Sequence, residues 1–124
     1  MDKISLFAQI GGAPTVRRIV EAFYPRVQAD PELRDIFPDD IRPVLERQNL
    51  FLTQFLGGPP LYSQQHGHPM LRARHLPFPI HAGRAQAWLR CMAAALDEAG
   101  VEPGLREQVW ERLAGTAAHM INTP

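Results

Sequence analysis

Residues 69–80 read PMLRARHLPFPI. The part before Leu76 is long enough for about one helical turn. Pro77 and Pro79 forbid that turn from continuing, because proline lacks an N–H and disfavours helical geometry in the residue before it. His75 therefore stands at the end of a clipped helix, beside Leu76, Phe78 and Ile80. An imidazole on so short and apolar a platform needs a partner. A metal is one candidate, since neutral imidazole is the commonest protein metal ligand. A backbone carbonyl is the other, and this stretch leaves both open.

On either side of this stretch the periodicity is helical, and strand-like alternation is almost absent. Upstream, residues 4–10 predict a short leading helix that stops at Gly11-Gly12. The next begins near Pro14, a good first-turn residue, and places Val16, Ile19, Val20, Phe23 and Val27 on one face. Asp30-Pro31 ends it, and a short turn runs over 31–37. Asp39 or Asp40 is the expected cap of a third helix, with Pro43 near its start and Val44, Gln48, Phe51, Leu52 and Phe55 along its inner stripe. Gly57-Gly58 ends that helix, and residues 58–69 read as a loop rich in Gly, Pro and His. Downstream, residues 81–99 predict a helix with Ala85, Trp88, Met92 and Ala95 or Leu96 inward, closed by Gly100. Residues 103–121 predict a last helix buried through Leu105, Val109, Leu113, Ala117 and Met120. The sum is a single all-α domain over residues 1–124 with about four substantial helices. Its irregular middle is longer than a simple bundle needs, which predicts that something besides side chains fills part of the core.

Composition narrows the function. The chain's 124 residues suffice for one core, and 45% hydrophobic content is ordinary for a globular protein. No apolar run approaches the roughly 20 residues of a membrane helix, and no signal peptide is expected after Asp2 and Lys3. A single cysteine, Cys91, excludes an internal disulfide and a cysteine-cluster zinc site. A cytoplasmic location is the expectation. Thirteen basic and 13 acidic residues balance, which argues against a nucleic-acid groove. One local basic cluster, Arg72, Arg74 and His75 with His66, His68 and Arg84 nearby, has the size to hold a few anionic oxygens.

Three polar groups fall where apolar ones are expected. Gln48 interrupts the stripe of the third helix between Val44 and Phe51, at a cost of about 1–3 kcal/mol if buried without a partner. Trp88 sits mid-face on the fourth helix, and its indole N–H can only donate. Tyr24 lies at the edge of its helix's stripe, and Pro25 after it is expected to loosen that helix. Ordinary core and rim packing accounts for each alone. Together they bring an amide, an indole and a phenol from three helices toward a cavity that His75 would face from another side.

At these residues the chain resembles a truncated haemoglobin of group II, from Leu6 to about Asn122. The resemblance lies in Gly11-Gly12, FYPRV (23–27), IFP (36–38), QFLGGPPLY (54–62), HGHPM (66–70), RARHLPFPI (72–80) and AWLRCM (87–92). It implies a two-over-two helical sandwich, a shortened globin, around one haem b. It places His75 as the proximal ligand to iron, and Tyr24, Gln48 and Trp88 at three distal positions. Val44 falls at the distal site that histidine fills in ordinary globins, and cannot donate. Phe37 falls where an aromatic packs on the porphyrin, and Phe51 is a further cofactor-binding residue. Tyr62, His68, Arg72 and Arg74 are the propionate candidates; Leu52, Met70, Phe78, Ile80 and Met92 are the apolar haem contacts.

The implied function is reversible binding of dioxygen and other diatomic gases, with oxygen transport as one use, by a monomer or homodimer. A second reading is a redox enzyme, a nitric oxide dioxygenase or a peroxidase-like protein, which needs a separate reductase. A third abandons haem and places zinc on His66, His68 and His75 in a helical interaction domain; it leaves Gln48 and Trp88 unexplained.

Overall fold

The computed structural model describes residues 4–123, except the side chain of Arg72. Every regular element among the described residues is helical: α1 (Leu6–Gln9), α2 (Ala13–Ala29), a 3-10 turn (Arg34–Ile36), α3 (Arg42–Phe55), α4 (Leu61–His66), α5 (Leu71–His75), α6 (Ala82–Glu98) and α7 (Pro103–Met120). The long helices α2, α3, α6 and α7 are the expected ones. They pack as a two-over-two sandwich in which α2 lies on α3 and α6, and α6 on α7. Phe23, Ile19, Leu52, Met92 and Leu96 are fully enclosed where they meet.

Local chemistry fixes the ends. The Ser5 hydroxyl accepts the Ala8 N–H and starts α1. The N-cap of α3 is Ile41 rather than Asp39 or Asp40; Asp40 stands one residue further out and accepts the Arg42 N–H at 3.2 Å. Contact with the Arg42 side chain, and then that N–H bond, hold the Asp40 carboxyl below its ordinary range. Gly57 exits α3 with φ +93°, a conformation suited to glycine. At Gly58 a Cβ would meet the Phe7 ring and the Thr53 carbonyl at 2.8 Å, so only a bare backbone lets α1 lie against the end of α3. The Phe7 N–H donates to Leu56 O across the same approach.

Four expectations need correction. Residues 58–69 are not all loop, because α4 forms within them. Its support is tertiary: the Gln54 amide grips Ser63 through both its atoms (2.8 and 2.9 Å), and the buried Tyr62 meets the Phe51 ring at 6.0 Å. Tyr24 is no boundary residue; it is buried, edge-on to Phe23 at 4.9 Å, because α2 is enclosed on two sides by α3 and α6. On α6, Ala87 takes the fully buried position and Trp88 is only half-buried. The helix α2 runs through Pro25 to Ala29 without a break.

Candidate functional site

The five-residue helix α5 carries His75 at its last position. Its ring Nδ1 lies 2.6 Å from Leu71 O, one turn back. A carbonyl only accepts, so Nδ1 carries the proton and the lone pair of the neutral ring is on Nε2. Both candidate partners of His75 are thus compatible: the carbonyl takes one nitrogen and leaves the other.

His75 lines a cavity of about 130 Å³ whose walls are predominantly apolar. Gln48 and Phe51 of α3, Phe37 after the 3-10 turn, Trp88 of α6 and Ile80 line the same cavity. Six sequence-selected residues from separate parts of the chain therefore converge. A neighbouring groove shares the walls formed by Phe51, Leu71, Thr116 and Met120, and His68 and Met70 lie along it.

The polar groups on the cavity differ from polar groups elsewhere. Trp110 donates its indole N–H to Leu89 O at 3.3 Å. The Trp88 N–H and the Gln48 amide have no protein partner among the described residues. The Trp88 ring is held instead by an edge contact with Phe23 at 5.1 Å. Tyr24 is not on the cavity wall; its ring stands behind Phe37 at 6.3 Å. Burial pushes the Tyr24 phenol well above its ordinary value, against the opposing charge of Arg47, so it stays protonated as a donor.

Other selected residues lie off the wall. Leu52 and Met92 are enclosed in the core, and Val44 is half-buried against it. Phe78 is exposed. Tyr62 is buried, with Arg74 stacked over its ring at 5.7 Å; an Arg74 N–H also reaches His66 O. His68 accepts the Met70 N–H through Nδ1. The Arg72 side chain lies outside the described residues. His66, His68 and His75 do not form a metal site: among the described residues no three His, Cys, Asp or Glu side chains are grouped to hold one. No helix among the described residues is long and apolar enough to cross a membrane.

The sequence reading missed part of the wall. Leu33 and Ile36 reach it from the turn after α2, where no periodicity marks them. Arg84 lines it while donating to Glu32 O and Pro79 O. Asn122 was missed as well; its side chain ties the segment after His75 to the end of α7.

A two-over-two helical sandwich with a lone histidine on the wall of an apolar cavity is the layout of a shortened globin. The bacterial-like globin family matches residues 5–122. Group 2 truncated hemoglobin YjbI of Bacillus subtilis is 53% identical over 111 residues, 90% of this chain and 84% of that one. The crystal structure of the group II truncated hemoglobin from Bacillus anthracis superposes with a TM-score of 0.97 at 52% identity, covering 100% of this chain and 95% of that chain. A truncated oxygen-avid haemoglobin from Bacillus subtilis superposes at 0.92 with 50% identity, covering 96% and 100%. The chain belongs to the bacterial-like globin family, among the group II truncated hemoglobins.

Membership implies a haem cofactor and the binding of diatomic gases. The residues present fit that group. The cavity is apolar, it carries one imidazole whose Nδ1 is already engaged, and Leu76 and Phe78 leave apolar surface uncovered beside it. A globin holds haem iron through one proximal histidine.

Proposed function

We propose that residues 1–124 form one domain that holds haem b through His75 Nε2 and binds dioxygen and other diatomic gases reversibly. The observation that carries this reading is a single cavity lined both by an imidazole with a fixed tautomer and by donors without protein partners. When bound, haem supplies the iron that takes the gas and the electron density that polarises it.

The chain's own residues do the rest. Leu71 O keeps the proton on Nδ1 and orients the ring, as outer partners of ligating histidines do. The Trp88 N–H donates to a polarised gas in the cavity, and the Gln48 amide donates directly or orients a water. Tyr24 would contribute less, since its ring stands behind Phe37 and off the cavity wall. Val44 adds no hydrogen bond and keeps its part of the distal side apolar. Phe37, Phe51 and Ile80 on the cavity wall would hold the porphyrin by apolar contact, Met70 and Phe78 would add exposed apolar surface to the site, and Leu52 and Met92 would support it from the core. Arg74, Arg72, Tyr62 and His68 are assigned to the propionates; arginine suits paired carboxylate oxygens.

The unpaired donors on the cavity also favour slow release of gas, which suits redox turnover with an external reductase better than oxygen transport. The oxygen-avid relative supports the same emphasis. Equilibrium titration of the reduced, haem-loaded protein with dioxygen tests the first reading. A saturable spectral change reversed by removing the gas supports it, and irreversible oxidation at the first addition overturns it. Steady-state nitric oxide consumption with a supplied reductase separates the redox enzyme from simple binding.

A further inference from the structure

The segment that carries His75 is poorly held by packing. A helix as short as α5 has little stability of its own. Leu76, Pro77, Phe78 and Pro79 after it are all exposed. Pro77 and Pro79 donate no hydrogen bonds. Yet the His75 carbonyl at the helix end is doubly satisfied. It accepts the Phe78 N–H at 2.9 Å and Asn122 Nδ2 at 3.2 Å.

Asn122 does more than this. The same Nδ2 donates to Phe78 O at 3.0 Å, and Oδ1 accepts the Ile80 N–H at 2.9 Å. Its backbone N–H donates to Ile80 O at 2.9 Å, and the Thr123 hydroxyl donates to Oδ1 at 2.8 Å. One amide side chain, 47 residues from His75, thus binds the carbonyl of His75 itself, the carbonyl of Phe78 and the amide of Ile80 on the cavity wall. Donors and acceptors are matched to the asparagine's two ends.

We propose that Asn122 is a positioning residue for His75: it locks the backbone at the end of α5, and so the imidazole's angle and distance toward the cofactor. The inference rests on the reading of His75 as the iron ligand. Asn122 itself does not line the cavity.

The test uses the haem-loaded ferrous protein and the iron–imidazole stretching band in resonance Raman spectra. Asn122→Ala removes the whole clamp. Asn122→Asp is nearly isosteric, keeps the acceptor for Ile80 and Thr123, and turns an oxygen on the two carbonyls; it decides the question if the alanine variant does not fold. Thr123→Val removes only the hydroxyl on Oδ1. The band is expected to shift or broaden in both Asn122 variants, and transfer of haem to excess apomyoglobin to accelerate about 5- to 10-fold, as the loss of about one net hydrogen bond predicts. Thr123→Val is expected to leave both unchanged. A folded Asn122→Asp protein with the parent's band and haem-loss rate overturns the proposal, as does a Thr123→Val band displaced equally. A merely structural role lowers the melting temperature and leaves the band in place, which also overturns it. Absence of the band from the parent protein defeats the assignment of His75 instead, and the clamp's role with it.

Discussion

Trp88→Phe is the substitution that isolates the distal hydrogen bond. Phenylalanine keeps an aromatic ring against Phe23, 5.1 Å away in the parent, and removes an indole N–H on the cavity wall that no protein group accepts among the described residues. A hydrogen bond to a neutral group is worth about 0.5–1.5 kcal/mol net and one to a charged group about 1.5–3 kcal/mol. Dioxygen polarised by ferrous haem stands toward the charged end of that range. Losing about 1.4–3 kcal/mol from the bound state alone raises the release rate about 10- to 150-fold. Tyr24 sits behind Phe37 and off the wall, so Tyr24→Phe is expected to raise the rate by about 5-fold at most, equivalent to a loss of about 1 kcal/mol. Stopped-flow displacement of dioxygen by carbon monoxide measures both. A larger effect from Tyr24→Phe, or an increase of less than about 2-fold from Trp88→Phe, refutes the assignment of Trp88 as the principal donor.

Further substitutions test the frame around the site. Met92 is fully enclosed, so Met92→Ala should cost about 2–5 kcal/mol in chemical denaturation of the haem-free protein and leave the haem-loaded absorption maximum in place; a displaced maximum with unchanged stability would make Met92 a cofactor contact instead. Gly58→Ala drives a Cβ onto the Thr53 carbonyl and the Phe7 ring, and should destabilise by about 1–3 kcal/mol in the same assay, whereas Gly115→Ala, with open space around it, should not. Glu102 caps α7 by accepting the Gly104 and Leu105 N–H groups, which hold its carboxyl below the ordinary 4.5. Its folded value is depressed, so its contribution is full above pH 4.5 and is lost as pH falls through the folded value. The gap in melting temperature between the parent and Glu102→Ala should accordingly narrow on acidification from neutral pH, and a gap that widens contradicts this capping role.

The long helices were legible because apolar residues recur at helical spacing and each ends at a proline, glycine or acidic cap. On α7, however, only Val109 and Leu113 are buried, while Leu105 is half-buried and Ala117 and Met120 line the cavity. The turn α4 was not legible, since its support comes from Gln54 and Phe51 on another helix. His75 could be singled out from Pro77 and Pro79 alone, but its choice of partner could not, because the Leu71 carbonyl and the cavity are both compatible with it. Gln48 and Trp88 announced themselves as polar groups in apolar stripes. Tyr24 did so too, yet its place behind Phe37 depends on how α2 is enclosed, which spacing does not encode. Asn122 left no local signal at all. An asparagine after a helix reads as an ordinary terminus until the carbonyls of His75 and Phe78 are found facing it.

The central claim is that His75 holds haem iron in this cavity, and a haem titration followed by absorption spectroscopy tests it most directly. The parent protein should take up about one equivalent of haem and develop a sharp Soret band near ~410 nm, while His75→Ala should lose the band's intensity and position without unfolding. A parent protein that develops no such band, or a His75→Ala protein whose spectrum matches the parent's, would contradict the account.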